Sequence, residues 1–209
     1  MVILGVDFDK HLRFDKHLNN CASKASPRVS ALRRLSSFLD HSGILTLNKA
    51  QIRPYLEYSS LLWMSSAPSY IGKLDKIQRR ALRLMDSASH PPHDIVTTVD
   101  SLEHRRDVAV LTVFPKAQVQ EVHHLAGLML PLRTAQRSTR TVPSSVQLVE
   151  VPRPRASQHQ RTFMARVSRL RNIFTAAIPD VGKMTTQQAK MAAHRWRATL
   201  PTPLILLCT

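Results

Sequence analysis

Glycine is scarce in this chain. The 209 residues hold five, Gly5, Gly43, Gly72, Gly127 and Gly182, and no two are close together. Dinucleotide fingerprints and phosphate-cradling loops need clustered glycines so that backbone can approach a phosphate, so the usual nucleotide-binding enzymes are excluded. Cysteine is scarcer. Cys21 and Cys208 lie at opposite ends and cannot build a four-thiolate zinc site or a multi-disulfide scaffold; two free thiols in a reducing compartment are expected. The longest apolar tail, Leu204 to Cys208, is far short of the ~20 residues that span a bilayer. The amino terminus has no basic leader followed by an apolar stretch and a small-residue cleavage site. An intracellular protein with no membrane partner is expected.

Acids are the remaining shortage: 14 Asp+Glu face 30 Lys+Arg, a formal charge of +16. Aromatics make up only 5%, yet 43% hydrophobic residues permit a packed core, and this length suits one domain or one core with an appended tail. The excess is uneven, with 14 basic and 9 acidic groups in residues 1–100 against 16 and 5 in the remainder. Between Pro131 and Arg171 stand nine arginines, 133, 137, 140, 153, 155, 161, 166, 169 and 171, with one acid, Glu150. Such density repels itself and is relieved by solvation or by a polyanion. Arginine outnumbers lysine 21 to 9, which suits forked contact with phosphate.

Hydrophobic spacing predicts mostly helix. Val2-Ile3-Leu4-Gly5-Val6 reads as a short strand closed by a turn at Asp7 and Asp9. Leu18, Ala22, Ala25, Val29, Leu32 and Leu39 recur at spacings of 3, 4 and 7, one stripe of a helix, which Pro27 should kink or break. Residues 44–63 are apolar on two sides: Ile44, Leu47, Tyr55, Tyr58 and Leu62 on one, Leu45, Ile52, Leu56 and Trp63 on the other. Such a helix belongs at the centre of a core, kinked at Pro54. A third helix, about 69–86, turns Tyr70, Leu74, Ile77, Ala81 and Leu84 inward. On another face it carries Lys73, Lys76, Arg80 and Arg83, with Arg79 alongside. Four cations on one face repel unless an anion or solvent covers them.

After a loop at 89–94 a helix is expected near 101–114, opening with Ser101 and Glu103 and carrying Arg105 and Arg106, with continuation possible beyond Pro115. Residues 131–157, rich in Pro, Ser, Thr and Arg, read as a linker ordered on contact. A helix with Phe163, Val167, Leu170, Phe174 and Ile178 follows, and a weaker one near 185–198 ends in Trp196. No internal repeat is visible.

Several strings, in order, resemble the carboxy-terminal part of the reverse transcriptase of non-LTR retrotransposons, jockey-like elements in particular. Leu4-Gly5-Val6-Asp7-Phe8-Asp9 with Leu12, Phe14 and His17-Leu18 resembles the end of the palm around the primer grip and the entry to the thumb. Lys24-Ala25 and Leu32-Arg33-Arg34-Leu35 match the next helix. The most specific stretch is Ile52-Arg53-Pro54-Tyr55-Leu56-Glu57-Tyr58 with Trp63, then Leu74-Asp75-Lys76-Ile77-Gln78-Arg79-Arg80-Ala81-Leu82-Arg83-Leu84. Ser101-Leu102-Glu103-His104-Arg105-Arg106-Asp107-Val108-Ala109, Val151-Pro152-Arg153, and finally Arg161, Phe163, Ala165-Arg166, Leu170 and Asn172 complete the likeness over nearly the whole chain.

The resemblance implies a kinked, mostly α, thumb-like bundle: 1–14 a remnant strand and turn of the palm, 15–130 the helical domain, 131–157 the basic linker, 158–209 helices and tail. In this family the thumb grips the backbone of the primer–template duplex, which gives the third helix a ligand, since phosphate contacts supply sequence-independent affinity. Lys73, Lys76, Arg79, Arg80 and Arg83 are the expected contacts, with Arg105, Arg106, Arg153 and Arg155 secondary. Polymerisation needs carboxylates holding two metal ions, magnesium in the full-length family enzyme. This sequence has no adjacent Asp-Asp and is expected to start downstream of the family's aspartate hairpin, with the fingers missing as well. By that reading it is no enzyme by itself and carries no cofactor; its expected partners are an RNA or DNA duplex and the missing palm and fingers. The alternative is an element remnant or a protein-interaction helical module without a nucleic-acid ligand.

The chain departs from the family at Pro27, at Pro115-Lys116, and at Arg171, which occupies the usual Trp of the closing block. These changes fit a decaying copy or a truncated gene model, and a charge at the edge of the apolar stripe should leave that last block loosely docked. Other constellations carry less. Asp7 and Asp9 would face one way on a strand, as the carboxylates of a metal pair do, but acids at such a turn commonly cap it. His90 and His93, or His123 and His124, lack further ligands at zinc spacing. No nucleophile-elbow string supports hydrolysis. Trp63 reads as core; Trp196, between Arg195 and Arg197, could stack on a base, though an apolar anchor is the simpler role.

Overall fold

The computed structural model describes residues 1–11, 13–86, 99–119, 148–152 and 163–202, in two units, Met1–Leu102 and Glu103–Thr209. The described residues are mostly helical, as the spacing predicts, with one two-stranded sheet. None of their helices is long and apolar enough to cross a membrane.

The first unit opens with a departure. The Val2–Val6 run is not one strand: β1 (Val2–Ile3) folds back on β2 (Val6–Asp7), pairing Val2 with Asp7 and Ile3 with Val6. Leu4 and Gly5 both take positive φ, 47° and 77°, the condition a two-residue primed hairpin turn imposes. Only Val6 is buried; Met1, Val2 and Leu4 stand in solvent.

Helix α1 (Asp15–Leu35) buries Leu18, Ala25, Val29 and Leu32 of the expected stripe, together with His17 and Cys21, while Ala22 is only partly buried. Pro27 does not break it. The ring lies on the exposed face, where water can satisfy the carbonyl of Ser23 that loses its donor. The guanidinium of Arg28 reaches back to the carbonyl of Lys24 beside that gap.

The 41–63 region is more broken than a single kink. Helix α2 (His41–Leu47), capped by the Asp40 side chain on the Gly43 N–H at 2.8 Å, runs into a π-helical turn at Asn48–Ile52. Pro54 then sits in the first turn of α3 (Arg53–Glu57), where no intrahelical N–H is needed. Ser59, at φ 51°, separates α3 from the short α4 (Ser60–Trp63). That break turns the chain, so Tyr58 and Leu62, expected inside, are 49% exposed. Trp63 is fully buried and donates through Nε1 to the Tyr58 carbonyl at 2.9 Å. Helix α5 (Pro68–Asp86) packs along α1 and buries Leu74, Ile77, Ala81 and Met85, with Gln78 donating to the Asp100 carbonyl at 3.0 Å.

The second unit contains α6 from Glu103 onward (the helix spans Leu102–Val119 and continues through Pro115), α7 (Phe163–Ala177) and α8 (Thr186–Ala198). Helix α6 buries His104, Arg106, Asp107, Val108, Val110 and Leu111, so it is covered on most sides. Helix α7 is not loosely held: Ala165, Val167, Leu170 and Phe174 are wholly sealed, and Arg171 is buried with them. Asn172 clamps the backbone of Val149, accepting from its N–H and donating to its carbonyl, both at 2.9 Å. Thr185 and Gln188 form a reciprocal capping box that starts α8. The expected boundary at 130 and most of the 131–157 linker lie outside the described residues.

Candidate nucleic-acid interface

The period that turns Leu74, Ile77 and Ala81 of α5 inward necessarily turns Lys73, Lys76, Arg79, Arg80 and Arg83 out, and all five are exposed. Lys73 donates to Asn19 of α1 at 2.7 Å and lies 4.8 Å from the centre of the Tyr70 ring. Among the described residues Lys76, Arg79, Arg80 and Arg83 have no ion-pair or side-chain hydrogen-bond partner. At ~1.5 Å per residue the row from 73 to 83 is about 15 Å long, comparable with about four phosphates of one strand along a duplex axis.

Helix α1 adds cations that spacing had not singled out. Lys16 is 80% exposed, with its Nζ 4.0 Å from Asp7, and Lys24, Arg33 and Arg34 are also exposed. Their signal in the sequence is their position off the Leu18–Leu32 stripe. Asn19 would have been found only by knowing that α1 lies beside α5.

The secondary contacts fare differently. Arg106 is 7% exposed on the enclosed helix α6 and is removed from the set that can meet an external backbone; a residue on a helix covered on most sides has nowhere to point but inward. Arg105 is half-buried. Arg153 and Arg155, like His90, His93, His123 and His124, fall outside the described residues. Trp196 is half-buried against Phe174, ring centres 5.2 Å apart, which is the anchoring role.

Asp7 and Asp9 serve the local backbone. Asp9 accepts the N–H groups of His11 and Arg13 at 3.0 and 2.9 Å, and the Arg13 bond leads in holding its carboxyl below the ordinary value. Asp7 accepts from Asn20 at 2.8 Å, and its N–H donates to His17 Nδ1 at 3.4 Å. His17 Nε2 lies 3.5 Å from Cys21 Sγ. Burial pushes the Cys21 thiol up and His17 down. The trio is inert as a nucleophile.

A network in the second unit was not foreseen. Asp107, wholly buried, accepts from Arg197 Nε at 2.8 Å and from Arg166 Nη2 at 3.0 Å. Glu103 sits 3.3 Å from Arg166 and 3.9 Å from Arg197. Arg197, itself fully buried, also donates to the Leu200 and Pro201 carbonyls at 3.3 and 3.2 Å. Burial opposes the charge on Arg166, but Asp107 and Glu103 outweigh it and raise its pKa. Compared with protein-family models, curated proteins and solved structures, the chain matches none.

Proposed function

We propose that this chain binds the sugar–phosphate backbone of an RNA or DNA duplex, without sequence preference, through the outer face of α5. One observation carries the reading: Lys76, Arg79, Arg80 and Arg83 are exposed along one helix, and among the described residues no acid is paired to any of them. Such a run is relieved by solvent or by a polyanion, and arginine-rich forks favour the second. The role is neutralisation of phosphates rather than base reading. With four to six phosphates covered, log affinity falls with log salt at a slope of about −3 to −5. Titrating a short RNA–DNA hybrid at several salt concentrations tests this, and a flat response removes the proposal.

The finer reading is that the chain corresponds to the thumb and following part of a non-LTR reverse transcriptase, without the aspartates that hold the polymerase metals. It rests on the ordered strings around Ile52–Tyr58 and Leu74–Leu84. It implies no primer extension by this chain alone and extension when a family palm and fingers are supplied in trans. The competing protein-interaction reading draws on the exposed Met1, Val2 and Leu4 of the hairpin and implies duplex affinity no greater than that of a neutral control protein.

A further inference from the structure

On α7 one face is polar and buried. Ser168, Arg171 and Thr175 follow one another at one-turn spacing and are 0%, 8% and 6% exposed. Ser168 spends its hydroxyl proton on the Met164 carbonyl at 2.6 Å. Among the described residues the side chains of Arg171 and Thr175 find no hydrogen-bond or ion-pair partner. Of the Arg171 nitrogens only Nη1 is sealed from solvent; Nε, Nη2 and the Thr175 hydroxyl keep a sliver of contact with water.

The contrast with Arg166 on the same helix is informative. Arg166 has two carboxylates and a raised pKa, whereas Arg171 has none and burial alone lowers it. A buried cation lacking a counter-charge attracts an anion more strongly than an exposed one, because its own solvation is already lost. The edge left open bears Nε–H and Nη2–H, the two-pronged donor that matches two oxygens of one oxyanion. The Thr175 hydroxyl, one turn further along the same face, offers a third donor. Three donors and one positive charge suit a phosphoryl group.

We propose that Arg171 and Thr175 form a phosphate-binding site on α7, taking either a phosphodiester of a nucleic-acid backbone or free phosphate. It does not rest on the α5 stripe, and either can fail alone.

The test is thermal unfolding of the full chain in sodium phosphate against sodium chloride at equal, low ionic strength, where screening cancels and the general stabilisation by excluded phosphate is small, so that specific binding is what differs. Phosphate should raise the midpoint by about 2–4 °C, equally in a Lys76→Glu/Arg80→Glu chain. The rise should vanish in Arg171→Met and shrink in Thr175→Val. If Arg171→Met shows no folding transition, Arg171→Lys, which keeps the charge and loses the fork, takes its place and shows a smaller rise. A rise retained in full by either variant, or no rise in the unmodified chain, overturns the proposal. The phosphorus NMR line of inorganic phosphate, broadened by the Lys76→Glu/Arg80→Glu chain, then identifies the source. A short duplex that restores its free width shows that phosphodiesters are accepted, and a line that stays broad assigns the site to free phosphate.

Discussion

Asp107 and Arg197 meet at 2.8 Å with both side chains completely excluded from water, although 90 residues of sequence separate them. Arg166 closes the other carboxylate oxygen. Burying these charges is costly in itself, so the pair stabilises only while complete. Asp107→Ala should therefore cost about 3–5 kcal/mol, because two guanidinium groups lose their shared carboxylate. Glu103→Gln, at a partly exposed site with longer contacts, should cost about 1 kcal/mol or less. Urea denaturation of the two variants checks the ranking; equal losses would mean that Asp107 is not the hub.

Pro27 gives a prediction of opposite sign. It interrupts the hydrogen-bond ladder of α1 on an exposed face, so Pro27→Ala restores a donor without disturbing packing. A gain of about 1–3 kcal/mol is expected, read as a raised urea midpoint at unchanged slope. A loss would show that the ring shapes the α1 surface.

His17 makes the fold sensitive to acid. Burial holds its pKa below the ordinary histidine value, against an opposing pull from Asp7. The unfolded chain therefore takes up the proton first as pH falls through about 6.5. The stability His17 contributes is complete above that value and declines below it. Between about pH 7.5 and 5 the unmodified chain should lose more stability than His17→Gln. Parallel slopes in paired thermal scans would contradict this.

What could be read in advance depended on how local the cause was. Helix α5 was legible because a 3.6-residue apolar period and its charged complement lie within nineteen consecutive residues, and the five candidate cations came with it. The Leu4–Gly5 turn was hidden because an apolar run looks the same whether extended or folded back, and a positive φ at leucine leaves no trace in composition. The interruption at Ser59 is of the same kind. Arg106 was misjudged because charge alone does not say which side of α6 is enclosed. Arg197 and Asp107 were out of reach for another reason: pairing across so long a separation is decided by tertiary packing, which spacing along one helix does not encode.

We propose that the α5 cations, which have no acid partner among the described residues, hold a phosphate backbone. Fluorescence anisotropy of a labelled hybrid duplex, with the unmodified chain and Lys76→Glu/Arg80→Glu across a salt series, tests it most directly. Loss of two phosphate contacts should make the slope of log affinity against log salt shallower by about 2 and lower affinity at low salt by at least about tenfold. Identical affinity and slope for the two chains would contradict the claim.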